Sequence, residues 1–210
     1  MEIRDWQALN RTFYNTFAAE FSRSREALNP GILRALQGAD LSRVLDVGCG
    51  DGRVSKVVAG CYVGLDFSAN LIGRNARGTA SFALADLAHP LPVAAFSFPT
   101  VICLATLHHL SDRLALMRDL ARALKPGGRL IVSVWQMMHD ARMRKKIVED
   151  LGDGNYVLNW KSGGNGLRWV HEVSEAELRQ LAIAVGLEVV EVYRSDGKSG
   201  DLGLYGVMTR

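Results

Sequence analysis

Val44-Leu-Asp-Val-Gly-Cys-Gly-Asp-Gly-Arg53 decides how the rest of the chain is read. An apolar, partly β-branched run passes directly into three glycines, and a helix is expected to begin near Val54. Glycine at this density is needed where a ligand lies against bare backbone or where the turn requires positive φ. A dinucleotide-binding loop is the first candidate, but its GxGxxG spacing would put a third glycine at position 53, where Arg53 stands. Asp46 also lies two residues before the first glycine, at the carboxyl end of the expected strand. A carboxylate there suits a cationic amino-acid group far better than a pyrophosphate. The ligand is expected to be neutral or cationic at that end.

Outward from this loop, short apolar runs alternate with amphipathic segments. Arg43 to Val47, Cys61 to Leu65, Ala80 to Leu84 and Thr100 to Leu104 read as strands buried on both faces. A helix capped by Ser111 carries Leu114, Met117, Leu120 and Leu124 on one stripe, and Lys125-Pro-Gly-Gly128 stops it before a strand from Leu130 to Trp135. Strands alternating with helices imply right-handed βαβ units. The fold class is therefore α/β: a Rossmann-like, doubly wound, mostly parallel sheet. A helix from Glu175 to Val185, capped by Ser174, precedes two closing strands, Leu187 to Tyr193 and Leu204 to Met208, which read as an antiparallel hairpin at the sheet edge.

All 210 residues are expected to form one domain. Residues 1–40 read as a helical N-terminal lid with Trp6, Leu9, Phe13 and Phe17 at helical spacing, and 41–135 as the ligand-binding core. Residues 136–173 read as a second, inserted lid, a basic helix followed by a Gly- and Asn-rich loop, and 174–210 as the closing helix and hairpin. No run approaches the roughly 18 apolar residues of a membrane span, the first residues do not resemble a secretory signal, and no membrane partner is expected. Cys49, Cys61 and Cys103 have no CxxC spacing, so a cytoplasmic protein with reduced thiols is expected. The net charge of +3 permits an anionic partner without requiring one, and Arg142, Arg144, Lys145 and Lys146 concentrate basic charge within five residues.

Two more acids follow the glycine loop. Asp66 closes Cys61-Tyr-Val-Gly-Leu-Asp66, about twenty residues on, where a carboxylate accepts bonds from both hydroxyls of a ribose. Asp86 closes Phe82-Ala-Leu-Ala-Asp86, within reach of an adenine amino group. Three acids at the carboxyl ends of three successive strands converge on one crevice, the usual ligand site of an open α/β sheet.

Together with the loop, Gly64-Leu-Asp-Phe-Ser68, Ala83-Leu-Ala-Asp-Leu87 and Ala123-Leu-Lys-Pro-Gly-Gly-Arg-Leu130 resemble the successive motifs of class I S-adenosylmethionine-dependent methyltransferases, over about residues 43–134. The resemblance implies S-adenosyl-L-methionine as cofactor, with Asp46, Gly48 and Gly50 around its methionine part, Asp66 on the ribose, and Asp86 with Leu87 at the adenine. It adds Cys49, Phe67 and Leu104 to the cofactor-contacting set. One position departs: where that family has an acid after a phenylalanine at the start of the fourth strand, Phe98 is followed by Pro99.

The fourth strand runs on into Leu107-His-His-Leu110. Strand alternation would turn His108 and His109 to opposite faces, so a metal pair is not expected, and one histidine is left to face a substrate. Tyr14…Phe21-Ser-Arg-Ser-Arg25, Leu107-His-His-Leu110, Val134-Trp-Gln-Met137 and Arg168-Trp-Val-His171 are similar to segments of the tRNA wobble-uridine methyltransferases that esterify a carboxymethyl group. Trp169 and Val170 replace tyrosines of that pattern, and its late Asn-Trp is missing around Gly200-Asp-Leu-Gly-Leu204. The resemblance implies Tyr14, Arg25, Trp135, Trp169 and His171 at the substrate, His109 and Arg25 in catalysis, tRNA as partner, and a small zinc-binding activator subunit. A carboxylate acceptor is already ionised at neutral pH and needs a clamp such as Arg25 rather than a base; the sequence shows no evident base constellation. Methylation of a small-molecule acceptor, with a base such as His109, is the alternative, and a non-catalytic cofactor-binding subunit the third reading.

Overall fold

The computed structural model describes residues 5–23, 27–74, 76, 78–161 and 164–210. Asp5 caps the first helix, α1 (Trp6–Thr16), by accepting from the backbone N–H groups of Gln7 and Ala8. Two short helices, α2 (Ala18–Arg23) and α3 (Pro30–Leu36), follow before the sheet begins.

Strands β1 (Arg43–Val47), β2 (Cys61–Asp66), β3 (Ala80–Leu84), β4 (Phe98–Leu104) and β5 (Leu124–Trp135) are parallel neighbours, and β9 (Glu188–Ser195) and β10 (Gly203–Thr209) complete a seven-stranded sheet in the order β3-β2-β1-β4-β5-β10-β9. The final hairpin runs as expected, with β10 antiparallel to both β5 and β9. On one face of the sheet, α4 (Arg113–Ala123) and α6 (Glu175–Ala184) bury Leu116, Met117, Leu120, Leu178 and Ala182 against Leu45, Val101 and Val132. Leu120 is fully buried, so truncating it to alanine would cost about 2–5 kcal/mol. On the other face, α3 packs Ile32 and Leu36 into a cluster with Val44, Ile102 and Ile131.

Several local expectations are corrected. Asp112 rather than Ser111 caps α4, its carboxylate accepting from Ala115 N–H. The segment after the glycine loop is only a 3-10 turn, Arg53–Val57. β3 is not buried on both faces, because it is the sheet's edge strand and turns, not a helix, follow β2; Leu84 is 60% exposed. β5 starts at Leu124: its pairing with β4 jumps from Phe98↔Leu124 to Thr100↔Arg129, so Lys125 to Gly128 bulge out opposite Pro99, the residue that cannot donate to a ladder.

The largest correction concerns residues 136–173. The basic helix is a single turn, α5 (Ala141–Arg144), and most of the expected loop is a second sheet of antiparallel strands β6 (Ile147–Gly152), β7 (Asn155–Trp160) and β8 (Gly166–His171). Asp153 and Gly154 join β6 to β7 with φ of 50° and 75°, the left-handed pair of a tight hairpin turn. No helix among the described residues is long and apolar enough to cross a membrane.

Candidate active site

The glycine loop turns on Gly48, Gly50 and Gly52, with φ of 75°, 55° and 77°. A side chain at Gly48 would also fall within 2.6 Å of Thr106, so the space itself demands glycine there. Gly48 and Cys49 donate their N–H groups to the Leu65 carbonyl at 2.7 and 3.0 Å, and Gly50 N–H donates to Asp66 Oδ2 at 2.8 Å. Ser68 N–H donates to the other oxygen, Asp66 Oδ1, at 2.8 Å. Burial raises the Asp66 pKa against these bonds. The two strand-end turns thus hold each other in place and leave a crevice between them.

Asp46 is 2% exposed. The Tyr62 hydroxyl donates to its Oδ2 at 2.5 Å, while Oδ1 has no hydrogen-bond partner among the described residues. Burial is the main reason its pKa is raised from 3.8 to about 7, and the Tyr62 bond works the other way. Asp86 behaves oppositely: burial opposes ionisation, but Ala88 N–H at 3.1 Å and Arg11 at 2.6 Å hold its pKa below the usual value. Asp46, Asp51, Asp66 and Asp86 all line one pocket, with Phe67, Leu71, Leu87 and Leu104 as apolar wall.

The N-terminal helices roof that pocket. Arg11 pairs with Asp86, Asn15 accepts from the Ser68 hydroxyl at 2.9 Å, and the Ser22 hydroxyl donates to Asp51 at 3.0 Å. Asn10, 1% exposed, acts as a two-way clip on the backbone of Trp169: its Oδ1 accepts from Trp169 N–H at 2.8 Å and its Nδ2 donates to Trp169 O at 3.0 Å.

Tyr14 and His109 meet in the wall of the same pocket. The Tyr14 hydroxyl is 2.8 Å from His109 Nε2, and His109 Nδ1 is 3.0 Å from Trp169 O. A carbonyl only accepts, so Nδ1 carries the proton of the neutral ring and Nε2 accepts from Tyr14. Asn10 Nδ2 also approaches Nδ1, at 3.4 Å, but its better bond is to Trp169 O, and the shorter contact sets the tautomer. Tyr14 and His109 are 95 positions apart in sequence, so no local spacing announced their contact. The histidines lie in a 3-10 turn, Leu107–His109, not in a strand, yet they still diverge. His109 lines the pocket, whereas the His108 ring lies tilted by 36° against Trp135, with centroids 4.6 Å apart.

Among the residues singled out from sequence, Asp46, Gly48, Cys49, Gly50, Asp66, Phe67, Asp86, Leu87, Leu104, Tyr14, His109 and Trp135 line this pocket. Trp169 does not; its ring stacks on Trp6 behind the wall. His171 is held away from it, with Nε2 3.0 Å from Glu177 Oε2 and Nδ1 3.1 Å from Asn155 Oδ1. Arg25 lies outside the described residues. Sequence reading passed over Asp51, although its place between Gly50 and Gly52 was a signal, and Gln7, Asn10, Arg11 and Thr106, for which no local signal exists.

The pocket fits S-adenosylmethionine. Its ammonium and sulfonium are cationic, and the site offers a buried carboxylate oxygen without a partner, further acids, bare glycine backbone and an apolar wall. The fold and this donor set define a methyltransferase. The chain belongs to the methyltransferase domain family, whose model matches residues 19–192. It is 29% identical to a putative methyltransferase of Encephalitozoon cuniculi, over 85% of this chain and 87% of that protein. It is 33% identical to the mouse tRNA (carboxymethyluridine(34)-5-O)-methyltransferase ALKBH8 over 63% of this chain, which spans only 20% of that relative. Among solved structures, the DhpI-SAM-HEP complex is similar with a TM-score of 0.75 at 19% identity over the full length of both chains. The putative methyltransferase bound to the Haloferax volcanii Trm112 activator gives 0.69 at 20% identity over 95% of this chain and 96% of that one. The methyl donor is S-adenosylmethionine.

Proposed function

We propose that this enzyme methylates a hydroxyl oxygen of a small organic acceptor held beneath α1, between Tyr14, His109 and Trp135. The observation that carries the reading is the Tyr14–His109 contact with Nδ1 anchored on Trp169 O. With the Tyr14 proton directed at Nε2, the tyrosine oxygen offers the pocket a lone pair, which welcomes an acceptor O–H and repels a carboxylate. The cofactor supplies an electrophilic methyl carbon on a sulfonium. Asp46 and Asp66 hold its charged and hydroxylated parts, the α1 roof excludes water, and alignment in the closed site accounts for much of the acceleration. His109 takes up the acceptor's proton through Tyr14 and needs no metal ligand set to do so.

A second reading, esterification of the carboxymethyl group of a wobble uridine in tRNA, is supported by the similarity to ALKBH8 and by the exposed side chains of Arg142, Arg144 and Lys145. In that reading Arg25 clamps the carboxylate, and an activator subunit assists, as the Trm112 activator does for the Haloferax protein. Incubation with methyl-labelled cofactor and either bulk tRNA or a metabolite extract, followed by mass spectrometry, separates the two. Label on a metabolite hydroxyl is expected. Label on carboxymethyluridine, with a tRNA salt dependence that flattens by roughly 0.7–0.9 per contact when Arg142, Arg144 and Lys145 become alanine, would establish the second reading instead.

A further inference from the structure

Helix α1 turns one stripe toward the pocket, Gln7, Asn10, Arg11 and Tyr14, at the three- and four-residue spacing of a single helix face. Asn10 and Tyr14 are bonded to Trp169 and His109, whereas Arg11 reaches the turn after β3. Its Nη2 donates to Asp86 Oδ2 at 2.6 Å, while Asp86 Oδ1 accepts from Ala88 N–H at 3.1 Å. The guanidinium carbon lies over the Phe67 ring, 6.0 Å from its centre. Phe67, Asp86 and Leu87 line the same pocket as Arg11. The side chains of Arg11 and Asp86 are 48% and 35% exposed, so solvent screens their attraction and the pair adds little to the fold. What the pair does is hold a planar cation beside an aromatic ring of the pocket wall.

We propose that Arg11 is a cofactor-binding residue carried by the roof: its guanidinium stacks on the adenine of S-adenosylmethionine, opposite Phe67, and Asp86 holds it there. The inference rests on the adenine lying at Asp86 and Leu87, and it gives Asp86 a second task beside accepting from the base amino group. Adenine is a flat, electron-rich ring. Arginine suits it because the guanidinium is planar, weakly hydrated and attracted to a π face. A carboxylate has about four lone-pair sites over its two oxygens, so Asp86 can keep Arg11 and Ala88 and still accept from the base. A base between Arg11 and Phe67 needs roughly 7 Å, two contacts of about 3.5 Å each, so the guanidinium backs away by about one ångström from its 6.0 Å position. A half-exposed arginine on a flexible stem can make that shift. An ammonium in the same place would keep the ion pair with Asp86 and lose the stacking plane, which separates this reading from a plain surface ion pair.

The test is calorimetric titration of wild type, Arg11→Met and Arg11→Lys with two ligands, S-adenosylhomocysteine and 5′-methylthioadenosine, which keeps the adenosine and lacks the amino acid. Arg11→Met should weaken both by the same factor, about 10-fold, because the lost contact is at the base they share. Arg11→Lys should stay within about threefold of Arg11→Met. Because Asp86 holds Arg11, the double variant Arg11→Met with Asp86→Asn should lose less than the product of the two single losses. Wild-type affinity in Arg11→Lys would overturn the proposal by showing that charge alone is at work. Unchanged affinity in Arg11→Met, a loss confined to S-adenosylhomocysteine, or a multiplicative double variant would overturn it as well. Asp66→Ala, titrated alongside, keeps two failures apart. Weakened binding there with none in Arg11→Met removes only the role of Arg11, whereas unchanged affinity in both removes the cofactor placement itself.

Discussion

The hydroxyl of Tyr14 and Nε2 of His109 lie 2.8 Å apart, one carried by the N-terminal helix and the other by the turn after β4. His109 is fixed from behind by the Trp169 carbonyl, 3.0 Å from Nδ1. Removing the tyrosine hydroxyl leaves the ring packing against Phe13 and Phe21 in place. Tyr14→Phe should therefore lower kcat by about 100-fold or more while the calorimetric affinity for S-adenosylhomocysteine stays unchanged. A variant with lost product affinity and normal kcat would place Tyr14 in cofactor binding instead.

With the cofactor placed as proposed, Asp46 should couple its binding to pH. Its pKa of about 7 lies above the ordinary 3.8, so the free protein holds a proton there at pH 6. An ammonium placed against Oδ1 favours the carboxylate, and binding should release close to one proton at pH 6 and almost none at pH 8.5. Calorimetry in two buffers of different ionisation enthalpy measures this directly, and Asp46→Asn should abolish the release. The sign for stability follows from the same shift. A carboxyl whose pKa is raised on folding stabilises the fold fully below about pH 4, and that contribution is lost as pH rises through about 7. Without cofactor, Asp46→Asn should remove part of the decline in melting temperature across that window.

The two oxygens of Asp66 already receive the N–H groups of Gly50 and Ser68, and the proposed cofactor placement adds the ribose to the same carboxylate. Asp66→Ala should weaken product binding by about 1.5–3 kcal/mol, roughly 10- to 150-fold, with a modest loss of melting temperature. Unchanged affinity in calorimetry would remove Asp66 from the cofactor site.

Gly48 and Gly127 share nearly the same backbone angle, φ of 75° and 71°, but only Gly48 faces a neighbour, Thr106. Gly127→Ala should cost only the left-handed strain, about 1–2 kcal/mol. Gly48→Ala should cost more and also impair cofactor binding, since Thr106 or the loop must move. Equal melting-temperature losses with intact binding would show that the loop gives way freely.

What the sequence made legible was local. The strand limits at Arg43–Val47 and Ala80–Leu84, the three strand-end acids and the closing hairpin all follow from short-range pattern; a buried strand such as Arg43–Val47 announces itself in five residues, whereas the edge position of Ala80–Leu84 does not. The second sheet was hidden by composition. Gly152, Asp153 and Gly154 read as loop residues, although the same residues are what a two-residue hairpin turn requires. Tyr14, His109 and the Trp169 carbonyl come from three distant segments, and no spacing rule connects them. Their relation exists only once Asn10 clips α1 to β8. Asp112 displaced Ser111 as a cap for a smaller reason, since boundaries one residue apart present equally good capping chemistry.

The central claim, that His109 receives the acceptor's proton, is tested most directly by the pH dependence of kcat/KM in wild type and in His109→Gln, using the hydroxyl acceptor that the labelling experiment identifies. The wild-type rate should rise with pH through a single ionisation. His109→Gln should lose that limb and fall about 100-fold or more. Full activity in His109→Gln with an unchanged profile would contradict the account.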